Sequence, residues 1–227
     1  MKKANITFTI SFLVISIGLI AVIYAKDLPK FFPFNKDATL KEWQEKIFKN
    51  KVLYTLESNV KEGYLMAKSD SACSGLFYRI SFNIKDFPMM SWNWKVLKFP
   101  DKSTVNKSTG GWIEKDDYAG RVYVIFPGLF FSGTKSIEYI WDENLPAETV
   151  LTSPYFRNIK LIVAESGKAR IGEWVFEKRN IYEDYKKAFR SEPLSRVGAI
   201  ALMTDTDNTL STAETLYKDI KVGYKNE

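Results

Sequence analysis

Apolar and polar positions alternate along most of this chain. Val52, Tyr54 and Leu56 point one way, and Tyr64 with Met66 follows after the Glu62-Gly63 turn. Leu76, Tyr78, Ile80, Phe82 and Ile84 form a longer run with Arg79, Ser81 and Asn83 on the other side. Trp92, Trp94 and Val96 continue the pattern, then a polar loop intervenes, then Val122, Val124 and Phe126 share one face with Arg121, Tyr123 and Ile125 opposite. Ile137, Tyr139 and Trp141 alternate after a Pro-Gly turn, as do Trp174 and Phe176. Residues 159 to 164 are a nearly continuous apolar run, as expected of a central buried strand, and residues 197 to 203 form another apolar strand. Residues 217 to 224 close the chain as a strand. A period of two, broken by Gly, Pro, Asn, Asp and Ser, describes short antiparallel strands.

Two segments depart from this period. Leu40, Trp43, Ile47 and Phe48 recur at helical spacing and predict a short amphipathic segment, with a strand as the alternative. Residues 180 to 189 predict a helix: Asn180 stands at the N-cap, Glu183 at the capping-box position, and Ile181, Tyr185, Ala188 and Phe189 on one face. Asp184 and Glu183 neighbour Lys187 on the face expected to meet solvent. About ten strands and one short helix predict an all-β fold, a two-sheet antiparallel jelly-roll-like β-sandwich.

The first 25 residues are different. Lys2 and Lys3 precede an uncharged apolar run over residues 6 to 25 that ends at Ala25. This is the layout of a secretory signal peptide. The run also approaches the roughly 20 residues that span a bilayer, so an uncleaved anchor is the alternative. Either way the lysines hold the start in the cytoplasm and send the rest across, to a periplasmic or extracellular location. Residues 26 to 37 read as a linker and 38 to 227 as one domain. The net charge of +6 is spread without a Lys/Arg cluster, which argues against nucleic acid. The only membrane contact expected is through the N-terminal segment.

Two absences narrow the chemistry. The 227 residues contain no histidine, which removes histidine-based nucleophile pairs and imidazole metal sites. The single cysteine, Cys73, forms no internal disulfide, and its small neighbours Ala72, Ser74 and Gly75 predict that it is packed.

Three polar groupings remain. Glu114, Asp116 and Asp117 with Arg121 can bind a ligand or do acid–base work, or cap a strand through an internal ion pair. Asp205 and Asp207, followed by Asn208, begin like a calcium loop but lack its glycine and distant glutamate. They are candidate metal ligands for a structural Ca²⁺, or a polar turn bonding its own backbone. Glu173, Arg179 and Asp184 flank the helix start, where an arginine holds an anion or a neighbouring carboxylate. Of the six tryptophans, Trp92 and Trp94 share a face and read as core, whereas Trp112, in a Gly-Gly loop, and Trp141 are candidate stacking platforms.

Several motifs together resemble a known family. The runs Trp92-Asn93-Trp94-Lys95-Val96, Asp116-Asp117 to Arg121-Val122-Tyr123-Val124 and Tyr139-Ile140-Trp141 come in that order. Glu165-Ser166-Gly167, Trp174, Arg179-Asn180-Ile181 with Asp184-Tyr185, and Ala199 through Asn208-Thr209 follow. They resemble the bacterial family called domain of unknown function 3047, over roughly residues 38 to 224. The resemblance implies an exported bacterial protein without an established activity. The sequence departs at Ala188-Phe189-Arg190, where the family has glycine after phenylalanine. A looser similarity, carried by residues 65 to 69, 74 to 76 and 217 to 222, is to jelly-roll carbohydrate-binding modules.

The expectation is therefore a non-enzymatic envelope binding protein for a saccharide or glycan. It would use Trp112 and Trp141 for stacking, and Asp116, Asp117, Arg121, Glu173, Arg179 and Asp184 for polar contacts. A glycan hydrolase or lyase, with Asp116 or Asp117 facing Asp205 or Glu173, is the second reading, and an assembly partner in the envelope the third.

Overall fold

The computed structural model describes residues 28–35, 40–58, 62–104, 116–193 and 196–225. Six strands come first: β1 (Lys30–Phe32), β2 (Trp43–Lys49), β3 (Leu53–Glu57), β4 (Tyr64–Asp70), β5 (Cys73–Phe82) and β6 (Met89–Lys98). Then come β7 (Gly120–Phe126), β8 (Lys135–Asp142), β9 (Val150–Thr152), β10 (Ile159–Ser166) and β11 (Val175–Asn180). Helix α1 (Ile181–Phe189), β12 (Val197–Met203) and β13 (Thr212–Tyr224) complete the described chain. One sheet has six strands in the order β11-β6-β13-β4-β3, with β1 added to β13. The other has seven, β2-β5-β12-β7-β8-β10-β9. The fold is a two-sheet β-sandwich with one short helix, as the alternation predicts.

Tryptophans join the two layers. Trp92 and Trp94 on β6 lie edge to face with centroids 5.5 Å apart, and Trp94 meets Trp141 from the opposite sheet at 5.7 Å. All three are fully buried. Each such ring removes about 150–250 Å² from water, so this trio is a large part of the inter-sheet contact. Trp141 also donates its indole N–H to the Gly167 carbonyl at 2.9 Å. It therefore has no free ring face, and its expected role as a stacking platform is corrected: it is core.

Three local expectations also change. The segment around Trp43 is a strand, not a helix: β2 pairs with β5 from Trp43↔Tyr78 to Lys49↔Cys73. Seven residues are too few for a helix to hold itself, whereas an existing strand edge supplies partners for every peptide group. The run at 159 to 164 forms β10, which is not central; only the three-residue β9 lies outside it. It is apolar on both sides because Ile162 faces the inter-sheet core while Leu161 and Val163 pack with Tyr118 and Ile140 on the other face. Finally, β10 runs parallel to β8, against the antiparallel expectation, with β9 inserted in the connection between them.

Helix α1 is capped as predicted: the Asn180 side chain accepts from the Glu183 N–H at 3.2 Å, and Arg190 ends the helix at φ 52. Asp184, expected toward solvent, is instead buried against the sheet edge. Among the described residues no helix is long and apolar enough to cross a membrane.

Candidate functional site

Every residue of β7, at the centre of the seven-stranded sheet, is buried. Arg121, Tyr123 and Ile125 face away from the inter-sheet core yet are only 3–8% exposed. Three carboxylates converge on Arg121. Its Nε lies 3.0 Å from Asp205 Oδ1, its Nη1 3.3 Å from Glu138 Oε2 and its Nη2 3.4 Å from Asp116 Oδ1. Nη1 also donates to the Tyr123 hydroxyl at 3.1 Å, and the Tyr118 ring lies 4.7 Å from the guanidinium. Arg121 Nε and Asp116 Oδ1 meet their partners by distance but without hydrogen-bond alignment, while Arg121 Nη2 donates to the Asp116 backbone carbonyl.

Three acids on one cation leave negative charge in excess. Burial pushes the Asp116 carboxyl up to about 6 and Glu138 up to about 8, with Arg121 opposing both shifts. Asp205 rises for the same reason. Burial thus favours the protonated form of Glu138. Sequence reasoning missed it, because it occupies an ordinary outward position between Ile137 and Tyr139; its only signal was a carboxylate opposite Tyr123 in the β7–β8 register.

Asp117 does a separate job. Its carboxylate accepts from the Thr209 N–H and hydroxyl, both at 2.6 Å, and from Asn208 N–H and Nδ2 at 3.3 Å, closing the turn after β12. Asp205 and Asp207 do approach each other, and with Cys73 their donor atoms lie within 4.8 Å. Arg121 meets the charge of Asp205, while Lys49 donates to the Asp207 carbonyl at 2.8 Å and lies 3.9 Å from its carboxylate. Cys73 is half-buried, and burial with the neighbouring aspartates holds its thiol well above the usual range.

Arg179 and Asp184 also pair with each other. The guanidinium donates to both Asp184 oxygens at 2.8 and 2.9 Å and binds Glu148 on its other edge. Asp184 accepts the Tyr139 hydroxyl at 2.8 Å as well. The hydrogen bond from Arg179 lowers Glu148 to about 2. This network fastens α1 across the edge of both sheets. The predicted contact residues Asp116, Asp117, Arg121 and Arg179 with Asp184 are therefore consumed by internal pairs in separate places. They form no shared open groove, and the acids named for a hydrolase, Asp116 and Asp205, meet through Arg121 in the interior. Trp112 and Glu114 lie outside the described residues.

What remains open is the outer face of the six-stranded sheet. Trp174, just before β11, is half-buried, and Phe176, two residues on, is 60% exposed. Phe176 pairs in register with Asn93, whose neighbour on the far side is Lys218. The Tyr64 ring lies 6.2 Å from Trp174. Lys95 and Lys218 bring their ammonium groups 5.3 and 4.6 Å from the Trp174 centroid. Lys218 reaches that face by alternation with buried Tyr217, and the bulge in β13 that follows, with Asp219 at φ 50, returns Ile220 to the core. Asn93 Nδ2 donates to Asp219 at 3.4 Å, and Lys218 pairs with Glu62 and, at 3.9 Å, with Asp219. Glu173, of the predicted contact residues, is exposed directly beside Trp174. The result is an aromatic pair rimmed by an amide, two ammonium groups and carboxylates. Tyr64 and Lys218 were invisible as partners of Trp174 in the sequence, 110 and 44 residues away.

Residues 41–221 match the family described as Protein of unknown function (DUF3047). The chain belongs to this family. No curated protein matches the DUF3047 chain. Among solved structures it is similar to the family 30 carbohydrate-binding module of the cellulosomal cellulase Cel9D-Cel44B of Clostridium thermocellum. That match has 6% identity over 82% of this chain and 93% of the module, with a TM-score of 0.44. It is similar also to CtCBM11, at 9% identity over 90% and 100% of the two chains and a TM-score of 0.42. A third is the glycoside hydrolase domain of Endo-D from Streptococcus pneumoniae R6, at 10% identity and a TM-score of 0.41, matched over 82% of this chain. The DUF3047 chain spans 22% of the length of that structure.

Proposed function

We propose that the domain binds a saccharide or glycan on the outer face of its six-stranded sheet, and that it does so outside the cytoplasmic membrane. The observation that carries the reading is the Trp174–Tyr64 pair, placed on a sheet face with polar groups close around it. An aromatic ring takes the C–H face of a pyranose, while flanking donors and acceptors take its hydroxyls. Such a surface is apolar in the middle and polar at the rim, the anatomy of a recognition site. Asn93, Lys95, Lys218, Asp219 and Glu173 supply the rim. The charged start and apolar run of residues 2 to 25 support the location.

The test is a thermal-shift and calorimetric screen of soluble glycans against the wild type and Trp174→Ala. A ligand of the native state raises the melting temperature, by an amount set by its concentration over Kd. The expected result is a glycan-dependent rise that Trp174→Ala removes, with at least a tenfold loss of affinity, since tryptophan anchors commonly carry about 2 kcal/mol or more. Binding that survives Trp174→Ala, or no response to any glycan, refutes the reading.

A further inference from the structure

The loop joining β7 to β8 bears the most exposed apolar side chains of the described residues: Leu129 is 100% exposed and Phe130 78%. The loop is tied at its base. The Gly133 N–H donates to the Phe130 carbonyl at 2.9 Å, the Gly128 N–H to Thr134 Oγ1 at 3.3 Å, and Asn158 Nδ2 to the Ser132 carbonyl at 2.7 Å. The backbones of Gly128 and Gly133 touch so closely that a Cβ on Gly128 would lie 2.3 Å from the Gly133 carbonyl carbon. Pro127 packs against Gly198 in the same way. A fastened finger presenting leucine and phenylalanine to water sacrifices burial that the fold could have used.

Cations surround the finger's base. Lys135 follows it directly, and its ammonium lies 4.7 Å over the Phe189 ring. Arg157 adjoins Asn158, Lys160 sits on β10, and Arg190 caps α1. Arg190 and Lys135 stand near enough to Lys160 that, after burial, their charges help to lower its pKa. None of these four cations has a carboxylate partner among the described residues. Of the acids toward this end, Glu192 is taken by the Tyr182 hydroxyl at 2.6 Å and by Lys186 at 3.6 Å, while Asp86 and Glu183 are exposed on the β5–β6 connection and at the start of α1.

The chain also enters the domain here. Leu28 packs on Gly223 at the end of β13, where Tyr224 pairs with Met89 at the start of β6. The connection between β5 and β6 turns at this end, and β7, antiparallel to β12 as β5 is, finishes there too. Leu28, the first described residue, thus lies at the end that carries the finger.

We propose that the β7–β8 finger and its ring of cations dock this end of the domain on an anionic lipid bilayer. Leu129 and Phe130 enter the boundary between headgroups and acyl chains, and Lys135, Arg157, Lys160 and Arg190 meet the headgroup phosphates. A bilayer accepts two protruding side chains without a matching pocket, whereas a protein partner needs a concave counterpart. The inference uses a surface remote from Trp174, and stands or falls separately from the glycan reading.

The experiment uses the full chain with Cys73→Ser, carrying an environment-sensitive fluorophore on Leu129→Cys or, as control, on Leu210→Cys. Leu210 is 67% exposed and lies between β12 and β13 at the opposite end. Each protein is mixed with vesicles of phosphatidylglycerol and phosphatidylcholine, or of phosphatidylcholine alone, and sedimentation of the same samples reports the bound fraction. The expected result is a several-fold emission rise at position 129 on anionic vesicles, little on neutral ones, and none at 210. Lys135→Glu and Arg190→Glu should each weaken the response about fivefold or more, the effect of roughly 1 kcal/mol per basic residue. Position 129 remaining in water on sedimented anionic vesicles overturns the proposal and leaves the finger to a protein partner. Equal responses on both lipids, unaffected by the charge reversals, overturn the role of the cations.

Discussion

Glu138→Gln tests the interior charge cluster most directly. Glu138 is 4% exposed, receives Arg121 Nη1 at 3.3 Å, and is pushed up by burial from an ordinary 4.5 to about 8. An acid whose pKa is raised by folding binds its proton more tightly in the native state. Its contribution is complete below pH 4.5 and is lost as pH climbs through about 8. Between pH 6 and 8 the unfolded glutamate is ionised while the folded one keeps its proton. Stability then falls by about 1.4 kcal/mol per pH unit, or about 3 kcal/mol over the window. Halving this for water penetration and relaxation at a real buried site leaves about 1.5 kcal/mol. Glutamine is neutral throughout and nearly isosteric, so it escapes the loss. Asp205 and Glu177 still titrate in both proteins, and the difference between the two curves reports Glu138 together with its coupling to Asp116 across Arg121. The assay is thermal and urea unfolding of both proteins from pH 5 to 9. The variant should gain on the wild type as pH rises, by about 3 to 12 °C between pH 6 and 8 at about 2–4 °C per kcal/mol for a chain of this size. Two parallel curves would refute a neutral Glu138.

Two further outcomes follow from the same contacts. Arg121→Met removes the cation that Asp205, Glu138 and Asp116 share, and should destabilise by about 3–5 kcal/mol at pH 8 in urea unfolding. The loss should shrink toward pH 5, where the acids take up protons. Gly128→Ala forces a methyl group against the Gly133 backbone, and should cost about 1–3 kcal/mol with the finger displaced; an unaltered urea midpoint would show that the neck is not held as described.

Much of the strand pattern is local and was legible. β5, β6 and β7 follow directly from period-two alternation, and α1 from an N-cap three residues before its capping-box glutamate. The inward pairing of Trp92 with Trp94 follows from their spacing alone. The segment at Trp43 was ambiguous because seven residues carry too few periods to separate a strand from a helix, and the edge of β5 decided it.

The site was less legible, for a reason that lies in the sandwich. Alternation sorts side chains onto two faces but does not say which face is covered. The sequence by itself determined that Arg121 and Tyr123 oppose Val122 and Val124, and that Trp174 and Phe176 share a face. Only the tertiary structure decided that the first outward face is closed and the second open. Arg121 therefore became the centre of an interior cluster assembled from residues 17 and 84 positions away, Glu138 and Asp205. Trp174 stayed at the surface beside Tyr64. Burial depends on what packs from elsewhere in the chain, and that information is not carried by neighbours in sequence.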